Sequence, residues 1–236
     1  MFTGFPDATI TYFLGLRLNN YTSYYNDTKD AFIRDVRAPF YSLINELAPL
    51  MTQIDPQMEI RPNKCLARIH RDTRFTKDKA PYRDHLWFLF RRGGEPRDLS
   101  VMYWFELSPE SLEWGLGFWG ENKPALDALR RVMVTDPDHM TGLIESIGFR
   151  ERDFMLSGTD SRRVTIPADL PVALHAWYIK KQLYIHKKGL SVTDAFKPDL
   201  SPRVGDDFYA LSPLYTLLRT CADTALYTNE NNPEAL

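Results

Sequence analysis

Apolar residues recur every three or four positions in the first 50 residues, which is the spacing of one face of an α-helix. The pattern predicts a first helix that opens at Asp7 and a longer second helix that opens at Thr22, with Asn19-Asn20 as the turn between them. Pro39 lies inside the second helix and predicts a kink or a break there. The predicted apolar faces are Ile10, Phe13, Leu14 and Leu18 in the first helix, and Tyr25, Phe32, Val36, Phe40, Leu43, Ile44 and Leu47 in the second.

From about residue 58 the apolar period shortens to two, which is typical of strands with one buried face. The predicted strands cover residues 60–71, 82–91, 99–107 and 112–119. Gly93-Gly94 and Ser108-Pro109-Glu110 are turn signals, so consecutive strands are expected to pair antiparallel in a meander.

The helical period returns after residue 119, where Pro124 and Pro137 stand at first-turn positions of two predicted helices. Residues 150–167 are expected to be irregular or short-stranded, and two closing helices are predicted over 170–184 and 202–227. Helices, a run of strands and then helices indicate an α+β protein, with an antiparallel sheet of about four to six strands packed by N-terminal and C-terminal helices. Without repeats or linkers, residues 1–236 are predicted to form a single domain.

Composition narrows the class of protein. Of the 236 residues, 44% are hydrophobic and 25% charged, which is typical of globular proteins. No apolar run approaches the roughly 20 residues that span a bilayer. The N-terminus lacks a secretory pattern, and Cys65 and Cys221 form no CxxC pair. These features predict a cytoplasmic protein with no membrane partner. The absence of GxxxxGK[ST] and GxGxxG motifs argues against P-loop and Rossmann chemistry, and no cofactor is predicted.

Charge is unevenly distributed along the chain. Residues 65–92, here called the cationic segment, carry eight Arg and Lys against three Asp, a net charge of +5. The whole chain carries −2, so the remainder sums to −7. A cationic island on an acidic protein predicts an anion-binding site, because a negative ligand relieves the self-repulsion of the cations. The acidic remainder makes nucleic acid the less favoured partner.

Strand alternation would place Arg68, His70 and Asp72 on one face, and Arg83 and His85 on one face of the next strand. Guanidinium and ammonium groups suit phosphate or carboxylate, so the expected ligand is an anionic small molecule or nucleotide. The predicted ligand-binding residues are Arg68, Arg71, Arg74, Lys77, Lys79, Arg83 and His85. If the site is catalytic, His70 and Asp72 are the candidates for proton transfer.

Other interpretations of the same residues stay open. The interleaved aspartates would also suit a structural Arg–Asp network, in which Arg71 and Asp72 are expected to pair and hold the loop. The basic face would also suit a nucleic-acid or protein-binding adaptor. No metal site is predicted, since the His and Asp residues lack ligand spacing. Gly115 and Gly117 bare one face of a strand, which favours close packing over a floor for a flat ligand.

The stretch from Arg68 to Arg83, RIHRDTRFTKDKAPYR, resembles the signature of a widespread uncharacterised family, a domain of unknown function with an RDxRFxKDKxPYK-like motif. Residues 19–20, 24–25, 115–119, 177–181 and 212–215 extend the resemblance along nearly the whole chain. The chain departs from the usual pattern where Tyr24-Tyr25 replaces Trp-Phe, His70 replaces Tyr and Arg83 replaces Lys. The resemblance implies a stand-alone intracellular α+β protein and brings no established catalytic residues.

Overall fold

Five strands form one antiparallel sheet in the order β1-β2-β3-β5-β4. The structure is a computed structural model that describes residues 1–230, with side chains described through residue 224. The strands are β1 (Leu86–Phe90), β2 (Val101–Leu107), β3 (Leu112–Phe118), β4 (Phe154–Ser157) and β5 (Tyr184–Lys187). An antiparallel sheet of five strands with helices before and after it confirms the predicted α+β class.

Helices fill most of the chain outside the strands. They are α1 (Asp7–Leu18), α2 (Thr22–Asp27), α3 (Lys29–Ala31), α4 (Ala38–Ile54), α5 (Pro62–Cys65), α6 (Lys123–Thr135), α7 (Pro137–Ser146), α8 (Val172–Tyr178), α9 (Leu200–Ala210) and α10 (Ser212–Glu230). A π-helical segment, Phe32–Arg37, joins α3 to α4, and a 3-10 segment, Val192–Phe196, precedes α9. None of the helices in the described part of the chain is both long enough and apolar enough to cross a lipid bilayer.

The chain divides into two compact units. The first consists of Met1–Phe90, Trp104–Trp114 and Gly189–Asp206. The second consists of Arg91–Tyr103, Gly115–Lys188 and the chain from Asp207 onward. Strands β2 and β3 therefore contribute residues to both units. The organisation of residues 1–236 as a single domain stays a prediction.

In the first unit, the apolar face predicted for the second helix is confirmed, because all seven of its residues are buried. Pro39 breaks the regular helix, as expected, and the π-helical segment ends just before it. Proline lacks the N–H that a helical residue would donate to the Asp35 carbonyl. The buried Thr9 hydroxyl donates to that carbonyl instead, at 2.6 Å, and so compensates for the missing bond.

The face predicted for the first helix is partly wrong, since Phe13 is buried as expected but the two leucines are not. Leu14 and Leu18 are 42% and 82% exposed, whereas Thr9, Tyr12, Phe13 and Leu16 are buried. The buried side carries Tyr12, Phe13 and Leu16 together with Thr9, whose hydroxyl satisfies the Asp35 carbonyl. A polar residue that serves a tertiary hydrogen bond thus takes a place that periodicity assigns to leucine.

The strand predicted over residues 60–71 is also wrong. Pro62 opens the short helix α5, where its fixed φ and missing N–H are tolerated. The chain then runs extended and meets its neighbour only through isolated bridges, Leu66 to Phe88 and His70 to Tyr82. The proline converts the first half of an alternating stretch into a helical turn.

In the second unit, the helix predicted over 170–184 is shorter, because α8 ends at Tyr178 and β5 begins at Tyr184. The helix predicted over 202–227 is two helices, which meet at Leu211. Pro213 explains the division, since proline suits the first turn of a helix and not its interior. The expected short strand between residues 150 and 167 is present as β4.

Two features of the second unit hold its strands in place. Gly115 and Gly117 pair with His186 and Tyr184 on β5, and the β5 backbone fills the space where their side chains would be. The buried Asp207 carboxylate, at the end of α9, accepts from Arg152 at 3.2 Å and lies 3.5 Å from Lys187 Nζ on β5.

Candidate functional site

Two stretches of the cationic segment pair antiparallel and form a hairpin of residues 66–71 and 81–88 with a loop of residues 72–80. Arg71 N donates to the Pro81 carbonyl and Arg83 N to the Ile69 carbonyl, each at 2.8 Å. Arg68 and Arg83 therefore lie on the two paired arms of the hairpin, within the first unit.

Both aspartates of the loop, Asp72 and Asp78, form ion pairs with arginines of the hairpin. Arg74 makes a two-pronged contact with Asp72 at 3.0 and 2.7 Å, and these hydrogen bonds lower the pKa of Asp72 to about 2. Arg71 binds Asp78, which also accepts from the Ala80 N–H at 2.9 Å. The expected Arg71–Asp72 pair is therefore wrong, because Asp72 is held by the residue two positions along.

Two further cations hold the hairpin through carbonyl groups. Arg83 Nη1 donates to the carbonyl of Arg68 at 2.8 Å and to that of His70. Its guanidinium also lies 4.9 Å from the centre of the Trp87 ring, which suits a cation–π contact. Lys79 Nζ donates to the Thr73 carbonyl across the loop at 2.8 Å. These carbonyl acceptors are neutral, so the contacts fix the loop without cancelling its charge.

Arg68 and Lys77 are exposed, and the structure gives neither side chain a hydrogen bond or ion pair with any residue that it describes. Arg68 lies close enough to Asp72 to help lower its pKa. Phe75 is 91% exposed at the tip of the loop, with the Arg74 guanidinium 5.5 Å from its ring centre. The hairpin thus presents two exposed cations, Arg68 before the loop and Lys77 within it, and one exposed aromatic ring.

The N-terminal helices anchor this hairpin through residues whose anchoring role the sequence did not reveal. The Asn20 side chain bonds both backbone groups of Tyr82, each at 2.9 Å, as a neighbouring strand would. Arg17 binds Asp84 at 2.6 Å and also contacts Glu110. Only the Asn19-Asn20 pair gave a signal in the sequence, and it was interpreted as a turn.

His70 and Asp72, the two candidates for proton transfer, differ in their surroundings. The ring of His70 lies 5.3 Å from that of Tyr25 and 5.0 Å from that of Tyr82. Asp72, with a pKa of about 2, stays ionised at neutral pH. A carboxyl held in this way is poorly suited to exchange protons near pH 7.

A different carboxyl, Glu106 on β2, combines burial with nearby titratable groups. Burial raises the pKa of Glu106 above its ordinary value, the charge of Glu113 raises it further, and His85 opposes the rise. The His85 ring stacks 5.5 Å from Trp87, and its Nδ1 lies 3.1 Å from Asp84. Glu106 was missed because only its place in an apolar strand signalled it.

The described residues contain no group of three or more His, Cys, Asp or Glu side chains placed to hold a metal ion. The last two cations of the cationic segment, Arg91 and Arg92, belong to the second unit. There Arg91 donates to the Glu95 carbonyl at 2.7 Å, and Arg92 lies 3.8 Å from Asp223. The candidate site is therefore limited to the hairpin and the neighbouring Glu106.

Glu106→Gln is expected to raise the free energy of unfolding at neutral pH. A carboxyl whose pKa is raised by folding costs stability when it is ionised, and glutamine removes that cost. The gain in stability should shrink as the pH falls through the pKa of Glu106 in the folded state. It should vanish below about pH 4, where Glu106 is protonated in both the folded and the unfolded state. Urea denaturation between pH 7 and pH 3 measures it.

Asp194→Asn is the control of opposite sign. The hydrogen bond from Lys197 lowers the pKa of Asp194 to about 2, so its charge stabilises the folded state at neutral pH. That contribution is lost as the pH falls from about 4 to about 2. If Glu106→Gln also destabilises at neutral pH, the raised pKa of Glu106 is contradicted.

One known protein family matches nearly the whole chain. The sequence profile of a family described as a conserved hypothetical protein (DUF2461) matches residues 8–217. No curated protein matches the chain. The matched residues include the hairpin, its anchors Arg17 and Asn20, and Glu106. Because the match covers nearly the whole chain, the protein belongs to the DUF2461 family of conserved hypothetical proteins.

Proposed function

We propose that the protein binds a phosphate- or carboxylate-bearing small molecule or nucleotide at the hairpin of the cationic segment. The observation that carries the proposal is the charge left after the internal pairs are made. Residues 68–83 contain six cations and two aspartates, a net charge of +4, and both aspartates are engaged by arginines of the same hairpin. An anionic ligand would neutralise the remainder.

The cations divide into two roles under this proposal. Arg71, Arg74, Lys79 and Arg83 hold the hairpin, through aspartates or carbonyl groups. Arg68 and Lys77 have exposed charges and supply the contacts to the ligand. A guanidinium fork and an ammonium point charge together suit a phosphate group.

Phe75 favours a ligand that carries a flat ring as well as a charge. A phenylalanine that is 91% exposed gains by covering its face, and the Arg74 guanidinium lies 5.5 Å from its ring centre. Stacking of a base on an aromatic side chain contributes about 1–3 kcal/mol. The combination is typical of sites for nucleotides.

A catalytic role, if the ligand is turned over, rests on Glu106 rather than on Asp72. The raised pKa of Glu106 and the low pKa of Asp72 set the two carboxyls apart. Half-buried carboxyls with a raised pKa beside a histidine are typical of proton-transfer groups. The ligand-binding role that the sequence predicts for His85 belongs to the same proposal.

The double variant Arg68→Ala/Lys77→Ala is expected to bind adenosine monophosphate about tenfold more weakly, or worse, a loss of about 1.4 kcal/mol. The variant Phe75→Ala should weaken adenosine monophosphate but leave inorganic phosphate unchanged, because phosphate has no ring to stack. Isothermal titration calorimetry at fixed ionic strength measures both ligands.

Lys29→Ala/Lys64→Ala is the matched control, since it removes two exposed cations of the first unit outside the hairpin. Equal losses in the two double variants would attribute binding to overall charge and contradict the proposal. A single-stranded oligonucleotide that binds more tightly than the mononucleotide, with a steep dependence on salt, would favour the adaptor instead.

A further inference from the structure

A cavity of about 780 Å³ lies within the second unit, beside the first turns of α6. Its walls come from α6, from residues 159–164 between β4 and α8, and from Lys181. The volume is within the range of small-molecule sites, about 300–1,000 Å³. Five cations and three carboxylates line it, an excess of two positive charges.

The three carboxylates are all engaged by lysines or arginines. Asp127 accepts from Lys123 at 2.8 Å and also from Arg130. Glu121 accepts from Lys181, and Asp160 from Lys180, each at 2.7 Å. The negative charge of the cavity is therefore already neutralised.

Arg162 and Arg163 carry the excess positive charge. Both are exposed, and neither guanidinium makes a hydrogen bond or an ion pair with any side chain or backbone group in the described part of the protein. The two residues are adjacent in sequence and both line the cavity, so an anion bound there would offset their positive charge. Arg130 also lines the cavity, but its guanidinium already donates to Asp127 and, at 2.8 Å, to the Tyr178 carbonyl.

Backbone hydrogen bonds fix the segment that carries these two arginines. Ser161 N donates to the Ile179 carbonyl at 2.7 Å, and Lys181 N donates to the Thr159 carbonyl at 2.9 Å. Arg163 N donates to the Ser161 hydroxyl at 3.2 Å. These bonds tie residues 159–161 to residues 179–181, so the backbone that leads into the two arginines is fixed before a ligand binds.

We propose that this cavity is a second ligand site, in which Arg162 and Arg163 bind the phosphate group of a phosphorylated small molecule. A phosphate monoester at neutral pH carries nearly two negative charges, which matches the excess charge of the cavity. Each guanidinium fork fits two phosphate oxygens. The volume exceeds that of a phosphate ion and leaves room for a polar body, for which the charged walls offer hydrogen-bonding groups.

The test uses glucose 6-phosphate as the probe, with glucose as the uncharged reference, in isothermal titration calorimetry of the full chain. Arg162→Ala/Arg163→Ala should weaken the sugar phosphate at least tenfold, and Arg162→Lys/Arg163→Lys should give an intermediate loss, because lysine keeps the charge and loses the fork. Arg131→Ala/Arg150→Ala removes two exposed arginines of the same unit that do not line the cavity, and it should change the affinity less than twofold.

The Arg68→Ala/Lys77→Ala variant keeps this test separate from that of the hairpin, since it should retain binding in the cavity. Equal weakening by the two arginine double variants would overturn the proposal, as would failure of the unaltered protein to bind the sugar phosphate at millimolar concentration. Weakening only by Arg68→Ala/Lys77→Ala would move the binding to the hairpin and likewise overturn it. Circular dichroism of each variant verifies the fold.

Discussion

Gly115→Ala is expected to lower the free energy of unfolding by about 3 kcal/mol, the upper end of the usual cost of overpacking. A Cβ atom at this position would lie 1.9 Å from the Ile185 carbonyl oxygen and 2.9 Å from its carbon. These are backbone atoms of the paired strand β5, so they cannot move aside without loss of the pairing between β3 and β5. Urea denaturation measures the change.

Gly142→Ala is the matched control. This glycine lies in helix α7 of the same unit, and an added Cβ would meet no atom within 4 Å. Alanine there should stabilise by about 0.4–1 kcal/mol, because it restricts the unfolded chain and favours helix. Wild-type stability of Gly115→Ala would contradict the close approach of β3 and β5 and would restore the interpretation of the bare face as a ligand floor.

Asp207→Ala is expected to cost about 3 kcal/mol, the lower end of the range for breaking a buried ion pair. The Asp207 side chain is 5% exposed and faces both Arg152 and Lys187. Its removal leaves two cations in a half-buried place without the carboxylate that balances them. The lower end applies because these partners keep some access to water.

Chemical denaturation of Asp207→Ala and Asp207→Asn separates charge from shape. Asparagine keeps the size of the side chain, so a large loss in both variants assigns the effect to the missing charge. Asp169→Ala, an exposed aspartate of the same unit, should change stability by less than about 0.5 kcal/mol. A comparably small change in Asp207→Ala would show that the buried contacts add little.

The long second helix was predictable from the sequence, whereas the end of α8 and the strand β5 were not. The helix that buries Phe40 and Leu47 repeats its apolar spacing over many turns, so local pattern and tertiary packing agree. Strand β5 spans only Tyr184–Lys187, too short for its alternation to be distinguished from the end of a helix. The buried face of α1 includes Thr9, whose hydrogen bond to the Asp35 carbonyl cannot be deduced from hydrophobicity.

For the candidate site, the sequence located the cations but did not assign their partners. Arg71 has aspartates one and seven residues along, and only the path of the loop selects Asp78. Glu106 is similarly hidden, because its pKa depends on burial and on His85 and Glu113, which come from other parts of the chain. The composition of the segment gives its net charge. Only the three-dimensional structure shows which cations bond within the hairpin and which remain exposed.

The two hydrogen bonds between the Asn20 side chain and the Tyr82 backbone have a consequence for the order of folding. The partners are 62 residues apart, and Arg17 and Asp84 are 67 apart, so both contacts close long stretches of chain. Contacts of this separation carry a large entropy cost of loop closure, so we expect them to form late in folding, after the local helices. The N-terminal helices leave the ribosome before residues 65–92, so we expect them to form first and to serve as the template on which the hairpin docks. A synthetic peptide of residues 65–92 would carry every cation of the cationic segment but would lack this template.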